Sequence, residues 1–311
     1  MAPAGTLLWA RQIREGDLRA LARAATAVEN RAPASVDLLK ELFPHTGKAA
    51  VIGITGAPGS GKSTLAGEFA RVCRAASQRV GILGIDPSSP FSGGAILGDR
   101  IRMQEHCADA GVFIRSMATR GWLGGLARSA TEMCLLLDAA GFDVILVETV
   151  GVGQAEVDIA RLAAVTVLVL MPGMGDDVQA IKAGIMEIAD VFVINKSDQP
   201  GADRLELEIR ANLSLAARPD GWMPPIVHTV ASEGKGVAEA LEQVRRFLET
   251  RGQDERRETE VWSMRLRQMV RERLLEFCPV EQLESAAGEV AARRVDPFTA
   301  VSQLLQRVKN G

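Results

Sequence analysis

Seven short apolar runs punctuate the middle of the chain, separated by stretches of helical character. The first opens the segment AAVIGITGAPGSGKST; the others are RVGILGID at 79–86, GVFIRSM at 111–117, FDVILVET at 142–149, AVTVLVLMP at 164–172, ADVFVINK at 189–196 and PPIVHTVA at 224–231. Runs that are apolar on both faces and alternate with helices predict a parallel sheet covered on both sides. The expected fold class is therefore α/β, a doubly wound and mostly parallel sheet. Before it, from Thr6 to about Leu42, the pattern is helical: Leu18, Leu21, Ala22, Ala25 and Val28 recur at three-to-four spacing behind Gly16-Asp17, with Asp17 as N-cap. Beyond residue 250 the charged segment RGQDERRETE breaks the pattern. Helical text follows, in which Trp262, Leu266, Met269, Val270, Leu274 and Phe277 form one stripe. These changes of texture divide the chain into an N-terminal helical extension (1–46), an α/β domain (47–250) and a C-terminal helical arm (251–311). The stripe suits packing within its own domain, or a dimerisation or partner surface.

Composition narrows the classes. The 311 residues are 47% hydrophobic and 24% charged, close to the globular average, so neither disorder nor a membrane protein is expected. No apolar run approaches the roughly 18–20 residues of a transmembrane helix. The start MAPAGTLLWARQIREGD lacks a basic segment leading into a long apolar one, and a cytoplasmic location is the expectation. A net charge of −3 argues against nucleic acid as the main partner. Cys73, Cys107, Cys134 and Cys278 are scattered, as are His45, His106 and His228, so no Cys/His metal site is expected.

The strongest chemical signal is Gly56-Ala57-Pro58-Gly59-Ser60-Gly61-Lys62-Ser63, followed by Thr64, a full G-x-x-x-x-G-K-[ST] match between a strand and a helix. Its glycines let successive backbone N–H groups turn toward phosphate, Lys62 supplies a cation to the β and γ oxygens, and the Ser63 hydroxyl is a Mg2+ ligand. A nucleoside triphosphate is thus the expected ligand. Asn195-Lys196-Ser197-Asp198 follows another apolar strand, and a carboxylate at Asp198 accepts from the two donors that guanine presents and adenine does not. The Lys196 stem can lie along the ring. One strand later, Val230-Ala231-Ser232 stands where GTPases bring backbone N–H groups near the guanine oxygen.

The stretch DVILVETVGVGQAEVDIA ends a strand on Glu148, with Gly151 three residues on. G-proteins place D-x-x-G there: the acid holds Mg2+, directly or through water, and the glycine N–H senses the γ-phosphate. Val152 follows Gly151, where Ras-like proteins carry a water-orienting glutamine; Gln154 is displaced by two. Slow intrinsic hydrolysis, raised by a partner, is the expectation. Asp86 closes the second strand and Asp99 sits in a glycine-flanked loop, so both can approach metal and γ-phosphate, though either suits a turn or cap. In PGMGDDVQAIKAG (172–184) two glycines precede Asp176, Asp177, Gln179 and Lys182. Helix capping explains the aspartates but not so glycine-rich a loop beside the nucleotide.

Together, GITGAPGSGKST, DPSSPFSGGAILGDR, ETVGVGQAEVDIA, PGMGDDVQAIKAG and NKSD resemble the MeaB/ArgK family of GTPases, which includes the methylmalonic aciduria type A protein. The similarity runs from about residue 10 to 250. It implies a SIMIBI-class P-loop GTPase that chaperones an adenosylcobalamin-dependent acyl-CoA mutase, gating cofactor loading and protecting or reviving the mutase, to which the cobalamin belongs. It also implies Lys62 on phosphate, Ser63, Asp86, Asp99 and Glu148 around Mg2+, and a third switch at 173–182 with Gln179 and Lys182 coupling nucleotide state to the mutase. A homodimer through the C-terminal helices is implied as well. Two other classes fit a P-loop: a nickel- or cobalt-insertion GTPase of hydrogenase or urease maturation, which tends to carry Cys/His motifs, and a kinase acting on a transport protein, against which Asp198 weighs.

Overall fold

A computed structural model describes residues 3–86, 109–118, 125–149, 159, 162–173, 185–215, 218, 220–251 and 255–310. It divides into two compact units, Met1–Gln253 and Asp254–Gly311.

The first unit opens with three helices, α1 (Ala4–Arg14), α2 (Leu18–Glu29) and α3 (Pro33–Leu42). Asp17 caps α2, its carboxylate accepting from the N–H groups of Arg19 and Ala20 at 2.8 and 3.0 Å. The buried face of α2 is Ala20, Leu21, Ala24, Ala25 and Val28, whereas Leu18 is exposed. Small residues at 20 and 24 carry the contact because α2 lies close against its neighbours. Arg115 forms an ion pair with Glu29 and so ties α2 to the sheet.

Seven strands follow: β1 (Ala50–Thr55), β2 (Val80–Asp86), β3 (Val112–Ala118), β4 (Val144–Thr149), β5 (Val165–Leu170), β6 (Val191–Ile194) and β7 (Ile226–His228). They form one sheet in the order β3-β2-β4-β1-β5-β6-β7, and every strand pair is parallel. The strands are shorter than the apolar runs at 164–172, 189–196 and 224–231, because the flanking residues turn out into connections at the sheet edge. The fold is the doubly wound α/β class expected from the alternation of runs.

Successive side chains on a strand point to opposite faces, so residue parity sorts the core. Ile52, Ile54, Val144, Leu146, Val165 and Val167 face α4 (Lys62–Ala75) and α7 (Val237–Arg251). Ile145, Val147, Leu83 and Ile85 face α1–α3 and α5 (Gly125–Ala139), and Leu168 and Phe192 meet α6 (Ala202–Leu215). The Asp138 carboxylate on α5 accepts from the N–H groups of Gly47, Lys48 and Ala49 at 2.6, 3.2 and 3.1 Å, which fixes the entry into β1. β1 therefore lies mid-sheet between β4 and β5, and the carboxyl ends of these three strands form the crevice where open α/β sheets bind ligands.

The second unit holds α8 (Glu255–Glu276), α9 (Val280–Ala291) and α10 (Pro297–Asn310). Helix α8 already includes most of the charged segment RGQDERRETE, whose alternating signs suit a solvated helical turn as well as a break. Leu266, Met269, Val270 and Leu274 on α8, and Phe277 just beyond its end, are exposed.

Candidate functional site

β1 delivers the chain into the phosphate-binding loop, and two glycines show why it has this sequence. Gly56 has φ +140°, and a Cβ there would lie 2.1 Å from the Val169 carbonyl oxygen on β5. Gly61 has φ +91°, and its Cβ would lie 2.2 Å from the Asn195 amide nitrogen. Both are backbone conformations that only glycine adopts freely, at points of close approach. Lys62 opens α4 and is buried, its ammonium donating to the Gly56 and Ala57 carbonyls at 2.9 and 2.8 Å. The cation thus sits inside the loop on main-chain oxygens, where it can exchange them for phosphate oxygens.

Parity brings the second element in. Glu148 shares the face of Val144 and Leu146, toward α4, and it stands one residue before the end of β4, beside the helix start. The Ser63 hydroxyl donates to Glu148 Oε1 at 2.6 Å, although the two are 85 residues apart in sequence. Glu148 is only 5% exposed and Ser63 is half-buried, so the hydroxyl and carboxylate form a partly buried all-oxygen pair. Such a donor set suits a hard divalent cation of the Mg2+ kind.

The base-side motif is built around Asn195, which is buried. Its Nδ2 donates to the Ser60 carbonyl at 2.8 Å, while its Oδ1 accepts from the Thr229 hydroxyl and the Ala231 N–H, each at 3.0 Å. Lys196 has φ +55°, and Ser197 donates from both N and Oγ to the Thr229 carbonyl at 3.1 Å. This turn leaves Asp198 exposed at its tip. Val230 and Ala231 are buried and Ser232 is exposed. The Lys235 ammonium bonds Glu233 Oε2 at 2.6 Å; that hydrogen bond holds it above the ordinary lysine range, with the Asp198 charge adding to the effect.

Of the residues singled out in the sequence, Gly56 through Thr64, Glu148, Asn195, Lys196, Asp198, Val230, Ala231 and Ser232 come to the same edge of the sheet. Asp86 ends β2 at that edge. Asp99, Gly151, Gln179 and Lys182 lie outside the described residues. Thr229 and Lys235 are not singled out by the sequence. The only trace of Thr229 is a hydroxyl at the end of an apolar run, and Lys235 reaches the base side through the antiparallel bridge between Val230 and Lys235. Among the described residues no group of three or more His, Cys, Asp or Glu could hold a metal ion, and no helix is long and apolar enough to cross a membrane.

A family model described as methylmalonyl-CoA mutase-associated GTPase MeaB matches residues 21–282. The chain belongs to the MeaB family. It is a P-loop GTPase: its relatives are named GTPases, and the 56–63 loop joins β1 to α4. A Pyrococcus abyssi relative whose name proposes a GTPase is 46% identical over 311 residues, covering 96% of each chain. The GTPase ArgK of Escherichia coli is 39% identical over 239 residues, 74% of this chain and 72% of that one. The mouse mitochondrial methylmalonic aciduria type A homolog is 36% identical over 274 residues, 83% of this chain and 65% of that protein. Among solved structures, one described as a LAO/AO transport system kinase superposes with a TM-score of 0.73 at 29% identity, covering 99% of both chains.

Proposed function

We propose that this MeaB-family GTPase is a nucleotide switch for an adenosylcobalamin-dependent acyl-CoA mutase of the methylmalonyl-CoA mutase type, gating cofactor loading and protecting or reviving the enzyme. The observation that carries the switch is the Ser63–Glu148 hydrogen bond at 2.6 Å, which joins the phosphate-binding helix to the strand that leads into the 150–158 segment. The family's mutase-associated description and the mouse relative's name support the partner.

In this reading Lys62 moves from the Gly56 and Ala57 carbonyls to the nucleotide's β and γ oxygens. Ser63 and Glu148 hold Mg2+, with Asp86 and Asp99 contributing. Bound there, Mg2+ supplies positive charge to the phosphate oxygens. Glu148 orients and balances charge rather than taking a proton. Asp198 reads guanine while Asn195 keeps its turn in place, and Gly151 follows the γ-phosphate. Gln179 and Lys182 relay the nucleotide state to the mutase, and the exposed stripe on α8 serves a homodimer.

A pull-down tests this reading: the purified chain, loaded with GTP or GDP, is presented with a methylmalonyl-CoA mutase. Nucleotide-dependent capture is expected, and equal absence of capture in both states contradicts it. The kinase description of the solved relative makes one further arm worthwhile. ATP preference with a phosphorylated protein acceptor would favour a kinase instead.

A further inference from the structure

Across the sheet, one row of registered residues runs Met117, Ile85, Thr149, Thr55, Leu168. Ile85 pairs with Met117 and with Thr149, Thr55 pairs with Leu168, and the register that matches Ile54 to Glu148 continues to Thr55 and Thr149. All five are buried, and the three outer members are aliphatic or thioether side chains. The two central members are hydroxyls, both 0% exposed, and Thr149 Oγ1 donates to Thr55 Oγ1 at 3.1 Å.

Valine would fill the same space in this row without desolvating a hydroxyl, so packing alone does not call for threonine. Position supplies a reason. Thr55 is the last residue of β1 and precedes Gly56; Thr149 is the last residue of β4 and follows Glu148. The pair is the final tie between the two strands before both chains leave the sheet for the site. A hydrogen bond in a dry interior fixes lateral spacing more sharply than two methyl groups do.

We infer that Thr55 and Thr149 are positioning residues: their hydroxyl pair pins the strand end carrying Glu148 to the strand end carrying the phosphate-binding loop, and so sets the Ser63–Glu148 spacing used in cation-dependent nucleotide binding. This rests on the reading of Ser63 and Glu148 as the cation-side pair. Neither threonine touches nucleotide in this account.

The test is a Mg2+ titration of fluorescent GDP retention by the full chain, with melting temperatures recorded in parallel. Losing one net hydrogen bond of about 1 kcal/mol corresponds to about a three- to tenfold change in an equilibrium. Thr149→Val is therefore expected to raise the Mg2+ concentration for half-maximal retention about three- to tenfold, with GDP affinity in EDTA unchanged. Thr55→Val is expected to give a shift of the same size, and the double variant no more than either single one, because both remove one shared bond. Thr149→Ser restores the wild-type titration. Valine variants that melt earlier but keep the wild-type Mg2+ titration would overturn the inference and leave a packing role only. A wild-type protein that retains GDP equally with and without Mg2+ would instead remove the cation reading of Ser63 and Glu148.

Discussion

Asn195 donates to the main-chain carbonyl of Ser60 at 2.8 Å, so the guanine-side motif and the phosphate-binding loop are held by one amide across 135 positions of sequence. The orientation of that amide is dictated by its partners. Ser60 offers a carbonyl, which needs the NH2 group, and Ala231 offers an N–H, which needs the oxygen. The loop at 56–63 and the turn at 195–198 are thus mechanically one unit.

Asn195→Asp keeps the shape but turns an acceptor toward the Ser60 carbonyl. Leaving buried groups unsatisfied costs about 1–3 kcal/mol. The variant is expected to melt earlier and to lose GTP and GDP affinity together, as read by thermal denaturation and fluorescent-nucleotide titration. A variant with wild-type stability would mean that the amide carries no load.

Gly61→Ala attacks the same contact from the other side. The added Cβ meets the Asn195 amide at 2.2 Å in a backbone held at φ +91°. Backbone strain alone is worth about 1–3 kcal/mol. Nucleotide affinity is expected to fall by more than for Gly59→Ala, where φ is +77° but nothing lies within 4 Å. Comparison of the two by calorimetry separates close approach from strain.

Asp198→Asn changes the proposed base reader at an exposed tip, so stability is expected to hold. A hydrogen bond to a charged group is worth about 1.5–3 kcal/mol, and the GTP-over-ATP preference is expected to drop roughly ten- to a hundredfold. Competition between the two nucleotides measures it directly; unchanged selectivity contradicts the assignment of Asp198.

Glu206 on α6 binds Arg210 and, at 2.6 Å, the His228 ring at the end of β7. The Arg210 hydrogen bond first, and the His228 one second, hold its carboxyl below the ordinary glutamate value of 4.5. A depressed carboxylate stabilises the fold above its unfolded value and loses that contribution as pH falls through the folded one. Melting temperature is therefore expected to decline below about pH 4.5 and to decline less in Glu206→Gln. Parallel pH profiles of the two proteins would contradict this.

Much of this arrangement is legible in the sequence, for reasons that differ by residue. Gly56 to Ser63 is legible because phosphate binding needs a local strand, loop and helix, and all of it lies within one stretch. Glu148 is legible as an acid near the end of an apolar run, but because both faces of β4 are buried, that it turns toward α4 is seen only in the fold. What the sequence does not carry is register between distant strands. Thr55 and Thr149 look like ordinary strand threonines until β1 and β4 are seen side by side, and Thr229 gains its meaning only when Asn195 turns back to it. The shift of the α2 contact to Ala20 and Ala24 has the same origin, since helix proximity decides which small residues are buried.

The most direct test of the switch is single-turnover GTP hydrolysis by the purified chain, alone and with a methylmalonyl-CoA mutase. The expected result is a slow rate alone that rises at least about tenfold with the mutase, since Val152 rather than glutamine follows Gly151. A rate alone as fast as the rate with the mutase would contradict it.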